Sequence, residues 1–152
     1  MQENSPLFTL EKYQIDDSVG FLLTRARSLL VKSIDEALSG CDITSTQGGI
    51  IYMLSTGKYV SAADLAREFY IDAASMKRTL DRLEAHKIIE RKSNPDDRRQ
   101  ILLSLTPAGD ALAQKMPVIY VDMLNRLFAG FSAEEIGFLK SLLRKLLVNN
   151  NT

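Results

Sequence analysis

Two stretches of this chain read as β-strand, "IIERK" (Ile88 to Lys92) and "RQILLSL" (Arg99 to Leu105), and the turn cluster Ser93-Asn94-Pro95-Asp96-Asp97 lies between them. β-prone runs flanking a Pro- and Asp-containing bend predict an antiparallel hairpin. Two strands make neither a sandwich nor a barrel. The rest of the fold must then come from helices.

Helical spacing is found on both sides of the hairpin. From Asp17 to about Ser39, apolar residues fall at Val19, Leu22, Leu23, Ala26, Leu29, Leu30, Ile34, Ala37 and Leu38, the three-and-four spacing of an amphipathic helix. Gly40 is expected to stop it as a C-terminal cap. A second helix is predicted over 45–55 with Ile50, Ile51 and Leu54 inward. Its Gly48-Gly49 pair is unusual, since each glycine costs roughly 1 kcal/mol of helix propensity.

Ser61 opens an S-x-x-D start signal for a short helix to Phe69, with the Ser61 hydroxyl and the Asp64 carboxylate expected to satisfy free backbone N–H groups. After "YIDAA", Asp72 is the expected cap of a helix from Ala73 to His86 that buries Met76, Leu80 and Leu83. Beyond the hairpin, Thr106 and Pro107 start a long helix that Pro117 is expected to kink. Ser132 and Glu135 form a capping box for a last helix, expected to bury Ile136, Leu139, Leu142, Leu143, Leu146 and Leu147.

Bulk properties narrow the class. At 152 residues, 45% hydrophobic and 25% charged, the chain fits one globular domain. One cysteine, Cys41, excludes an internal disulfide, and no leader-like or membrane-spanning apolar run appears, so a cytoplasmic location is expected. Asp42 beside Cys41 opposes thiolate formation, which argues against redox sensing. His86 is the only histidine, so no histidine-rich metal site is expected, and no cofactor motif is present. No G-x-S-x-G, phosphate loop or paired glycine motif is present either, so no enzyme is expected.

Lys plus Arg equals Asp plus Glu at 19 each, so global charge points to no polyanion. Between Ser75 and Gln100, however, eight basic residues stand against five acidic ones. Two helices joined by a short turn, the second with polar and basic residues at its front, is the helix-turn-helix arrangement. A hairpin following the second helix is a wing. With that helix in a major groove, the hairpin tip swings over the neighbouring minor groove, whose negative potential favours arginine. Arg98 and Arg99 lie at that tip.

"DLAREFYIDAASMKRTLDRLEAHKIIERKSNPDDRRQILLSLTPAG" (Asp64 to Gly109) resembles the winged helix of the MarR family, the multiple-antibiotic-resistance type of bacterial transcription regulator. The matching pieces are Leu65-Ala66, the "RTLDRLE" segment, the D-x-R wing from Asp97 to Arg99, "LTPAG", the Thr-x-x-Gln start in "ITSTQGGIIYML", and the terminal helices. Many members carry glycine where Lys87 stands, so a left-handed lysine or a different helix end is expected. The resemblance implies a mainly α fold, a winged helix-turn-helix with a small β-hairpin wing flanked by N- and C-terminal dimerisation helices. In a single domain over 1–152, residues 45–105 are the DNA-binding lobe, and 10–40 with 106–150 the dimerisation region.

It further implies a homodimer that binds double-stranded palindromic operator DNA as a repressor and is released by a small aromatic or phenolic acid. Two recognition helices about one DNA turn apart predict half-sites roughly 10 base pairs between centres. The candidate DNA contacts are Ser75, Lys77, Arg78, Arg82, Arg98 and Arg99, with Asp97 expected to hold the Arg99 guanidinium by a charge-assisted bond. An anionic aromatic ligand needs a cation, an aromatic wall and empty volume. Arg25, Arg27, Gly48, Gly49 and Tyr52 are the candidate effector residues; the same glycines would equally serve to let two helices pack closely. The alternative is a winged-helix interaction module or constitutive architectural DNA-binding module with no effector.

Overall fold

The computed structural model describes residues 5–150. Its elements run α1 (Val19–Leu38), α2 (Ser45–Ser55), α3 (Ala62–Glu68), α4 (Ala73–Ala85), β1 (Ile89–Ser93), β2 (Ile101–Leu105), α5 (Pro107–Leu127) and α6 (Ala133–Asn150). Short 3-10 turns precede and follow α1. The order matches the expected one, and the strands pair antiparallel with Ile89 opposite Leu105 and Ser93 opposite Ile101.

Local chemistry sets most boundaries. The side chains of Ser18, Thr44, Ser61, Asp72 and Thr106 each accept a backbone N–H in the first turn of α1, α2, α3, α4 and α5. Thr44 and Gln47 form a reciprocal capping box, as do Ser132 and Glu135. Asp64 differs from expectation: its carboxylate pairs with Arg67, leaving only the Ser61 half of the α3 start signal. Gly40 is not the stop of α1. The chain tightens into a 3-10 turn over Ser39–Cys41, and Asp42 takes the left-handed conformation at φ 56°, an αL role a short polar side chain tolerates. Helix α5 continues through Pro117 to Leu127.

The core belongs to the middle of the chain. Ile50, Ile51, Leu54, Leu65, Met76, Leu80, Leu83, Ile89, Leu103 and Ala113 form one buried cluster drawn from α2 through α5. The wing is tied into it by the Leu103 N–H, which donates to the Val60 carbonyl at 2.8 Å. At the root of the wing, a Cβ added at Gly109 would lie 2.2 Å from the Ile88 carbonyl oxygen, so only glycine lets α5 start there. Thr106 fixes the same joint, its hydroxyl donating to the Lys87 carbonyl at 2.6 Å.

The terminal helices behave differently. Helix α6 buries no residue, correcting the expectation that its leucines are inside. Phe138, Leu142, Leu146 and Leu147 are 71%, 64%, 47% and 50% exposed. In α1 only Leu38 is buried. The periodicity is there, but within one chain α2 and α5 cover only the C-terminal half of α1, and α6 keeps most of its apolar side in solvent.

Candidate nucleic-acid interface

Helix α4 has two faces. Met76, Leu80 and Leu83 enter the core, and Lys77, Arg78 and Arg82 are exposed on the other side with Ser75 half-buried beside them. The helix end is turned sharply by Lys87, which takes φ 57°. That is the left-handed option for a position where glycine is easiest. The His86 ring Nδ1 lies 2.9 Å from the Arg82 carbonyl, beside the free end of the helix.

The cations on this surface are not equivalent. The ammonium of Lys77 pairs with Asp81 at 2.9 Å, and an Arg78 N–H donates to the Ser75 hydroxyl at 2.8 Å. Neither Arg78 nor Arg82 pairs with Asp81 or Glu84, the bland alternative for such spacing. Those carboxylates are taken by Arg91 of β1, which bonds Asp81 at 2.9 Å and also Glu84. Bonds from Lys77 and then Arg91 hold the Asp81 carboxyl below the usual carboxylate range. Arg91 thereby pins the wing to α4, a role invisible in the sequence because its partners lie seven and ten residues away across a turn.

At the wing tip, Asn94 donates to Gln100 through its side chain at 2.7 Å and through its backbone N–H at 2.9 Å. Asp97 accepts the backbone N–H of Arg99 at 3.0 Å. This corrects the expected bond to the Arg99 guanidinium: the carboxylate closes an Asx turn on the N–H two residues ahead, the geometry its short side chain reaches most readily. Among the described residues, Arg98 and Arg99 are exposed and make no ion pair.

The candidate effector residues are not assembled into one pocket. A Cβ at Gly48 would meet Leu38 and the Tyr120 hydroxyl at 2.7 and 2.8 Å, and one at Gly49 the Phe69 ring at 2.7 Å. The glycines therefore permit close packing and leave no void. Arg25 lies thirteen residues before Leu38 on α1, about 20 Å along the helix axis. It stacks over Phe21 instead, 5.9 Å from the ring centroid. Tyr52 packs edge-on against Tyr120 at 6.2 Å, and burial, followed by the neighbouring Tyr52, pushes the Tyr120 hydroxyl pKa up. A separate cavity of about 580 Å³ lies between the N-terminal segment and the start of α1, lined by Leu7, Phe8, Tyr13, Val19 and Leu23 among others. None of the five candidates lines it.

A helix-turn-helix with a basic outward face, followed by a hairpin carrying free arginines, defines a winged-helix DNA-binding protein. The MarR family profile matches residues 42–100. The multiple antibiotic resistance protein MarR of Escherichia coli is 30% identical over 115 residues, 75% of this chain and 80% of that one. An HTH-type transcriptional repressor of Mycobacterium tuberculosis is 28% identical over 86% of this chain and 94% of its own.

Among solved structures, a mutant E. coli MarR complexed with operator DNA superposes with a TM-score of 0.78 at 28% identity, covering 85% of this chain and 93% of that one. Bordetella bronchiseptica BpsR, whose DNA binding is regulated by 6-hydroxynicotinic acid, gives 0.78 at 28% identity over 88% and 96%. The chain belongs to the MarR family. It is a DNA-binding transcription regulator, not an enzyme. Among the described residues, no helix is long and apolar enough to cross a membrane.

Proposed function

We propose that the protein is a repressor that binds a palindromic operator as a homodimer and is released by a small aromatic acid. The observation that carries the DNA half is the division of α4, with Met76, Leu80 and Leu83 inward and Ser75, Lys77, Arg78 and Arg82 outward. In this reading Ser75, Lys77 and Arg78 enter the major groove and Arg82 reaches a phosphate. Arg98 and Arg99 enter the minor groove from a tip that Asp97 shapes. Residues 45–105 are the DNA-binding lobe, and 10–40 with 106–150 the dimerisation region. The uncovered apolar face of α6 supports the dimer, because patches of that kind in a folded protein mark an interface. Such a regulator works where the DNA is, in the cytoplasm.

Repression is supported by the name of the mycobacterial relative, and an aromatic acid effector by the ligand of BpsR. For the effector we keep Tyr52, 41% exposed beside Tyr120, as the aromatic wall. Arg25 and Arg27 serve as distant cations at most, since Gly48 and Gly49 open no space between them and Tyr52.

The test is fluorescence-anisotropy binding to the upstream intergenic DNA, with a panel of hydroxybenzoates and related acids. Tight binding abolished by one acid is expected, and that acid must also raise the melting temperature. Arg78→Ala is expected to weaken operator binding by about 5- to 150-fold, the worth of one good base contact, with melting unchanged. Wild-type affinity in that variant removes Arg78 from the interface. If no acid moves either binding or melting, the protein is a constitutive DNA-binding module.

A further inference from the structure

Arg78 is held by a chain of two hydrogen bonds that begins outside the helix. Asp72 accepts the Ser75 backbone N–H at 2.8 Å with one carboxylate oxygen and the Ser75 hydroxyl at 2.7 Å with the other. The hydroxyl proton is thereby committed to Asp72, and the hydroxyl oxygen is left to accept from Arg78 at 2.8 Å. Lys77, next in sequence, is instead closed onto Asp81. Hydrogen bonds from the Ser75 hydroxyl first and its backbone N–H second hold the Asp72 carboxyl below the usual range, so the acceptor stays charged near neutral pH.

We propose that Asp72 is a positioning residue for base readout: through Ser75 it holds Arg78 so that its paired N–H edge meets a guanine in the major groove. The inference rests on α4 being the operator-reading helix. Of the five N–H donors on arginine, the Ser75 bond uses one, which leaves a parallel pair for guanine O6 and N7. An arginine ordered before contact loses less conformational freedom on binding. As a bare charge, Asp72 would do the reverse and repel phosphates. The two roles therefore predict opposite outcomes when the carboxylate is removed.

Asp72→Asn separates them. Asparagine caps a helix as well as aspartate does. With its oxygen on the Ser75 N–H, its NH2 faces the hydroxyl oxygen and competes with Arg78 for it. The experiment uses the full-length chain and an operator selected by the wild type from a random-sequence DNA pool. Affinities are then measured for duplexes with each base pair of a half-site replaced in turn, at several salt concentrations.

Asp72→Asn is expected to lose about threefold to tenfold discrimination at one G·C pair per half-site, the same pair that Arg78→Ala affects. Nonspecific affinity is expected to hold or rise, and the salt slope to stay the same. Ser75→Ala, which leaves the Asp72 carboxylate on the helix N-terminus, is expected to lose discrimination at the same pair even if Asp72→Asn folds poorly. The double variant is expected to be no worse than either single one, the signature of one coupled chain.

Unchanged discrimination in Asp72→Asn overturns the proposal, as do additive losses. A uniform change at every base pair with an altered salt slope overturns it too, and assigns Arg78 to a phosphate. If the wild type selects no sequence at all, the operator reading falls and takes this inference with it. If it selects one and Asp72→Asn reads the same bases as well, only the Asp72 relay falls.

Discussion

Helices α4 and α6 carry apolar residues at the same three-and-four spacing and end in opposite situations. Met76, Leu80 and Leu83 of α4 are at most 1% exposed within their own chain. In α6 no residue is buried, and Leu142 remains 64% exposed. The apolar face of α4 is covered within its own chain, whereas most of the α6 face is not. Periodicity marks a face suited to burial, not what covers it.

That contrast breaks most visibly through α6. Replacing both Leu142 and Leu146 by Asp alters side chains that one chain leaves in solvent, so an isolated chain should lose about 0.5 kcal/mol for each, roughly 1 kcal/mol together. On a face covered by a second copy, two unpaired carboxylates cost several kcal/mol each. Sedimentation is expected to shift from dimer to monomer, with melting that becomes independent of protein concentration. A dimer that survives both substitutions would place the interface elsewhere.

Next in size is the lobe. Leu80→Ala deletes a side chain with no exposed surface, and an unrelaxed cavity costs about 2–5 kcal/mol. Urea denaturation reads this directly, and a loss below about 1 kcal/mol would mean the lobe is not the tightly packed unit described.

A smaller effect sharpens the contrast on the DNA side. Arg99→Ala removes an exposed, unpaired charge from the wing tip, leaving stability within about 0.5 kcal/mol. Its signature is expected in salt dependence, where losing one phosphate-type contact lowers the slope of log affinity against log salt by about 0.9. A wild-type slope assigns the wing tip no such contact.

The smallest change sits at the joint between α4 and β1. Lys87→Gly replaces a lysine at φ 57°, a conformation that costs a side-chain-bearing residue about 1 kcal/mol. Glycine adopts it freely but loses more entropy on folding. A net gain of up to about 1 kcal/mol in thermal or urea melting is expected. A loss would show that the lysine stem packs usefully there.

What could be read in the sequence was local. Ser132 with Glu135 and Thr44 with Gln47 bond within one helical turn, so a four-residue window contains all the relevant chemistry. The α4 faces and the hairpin were legible for the same reason. Spacing along the chain is ambiguous where two local outcomes compete. Gly40 could end α1, but the chain continued to Asp42. Asp97 could reach a guanidinium or a backbone N–H, and the nearer N–H won. Gly48 and Gly49 left empty volume and close packing equally open, and Leu38, Tyr120 and Phe69 fill the space, which is the close-packed outcome.

The sequence by itself determined the order of the elements, their caps and the basic outward face of α4, because each follows from hydrogen bonds and apolar spacing a few residues apart. Only the tertiary structure decided that Arg91 ties the wing to α4, that the α2 glycines are close-packed rather than open, and that the core stops short of α6. Those outcomes depend on which groups meet across turns and between elements, and packing in space sets them where spacing along the chain does not.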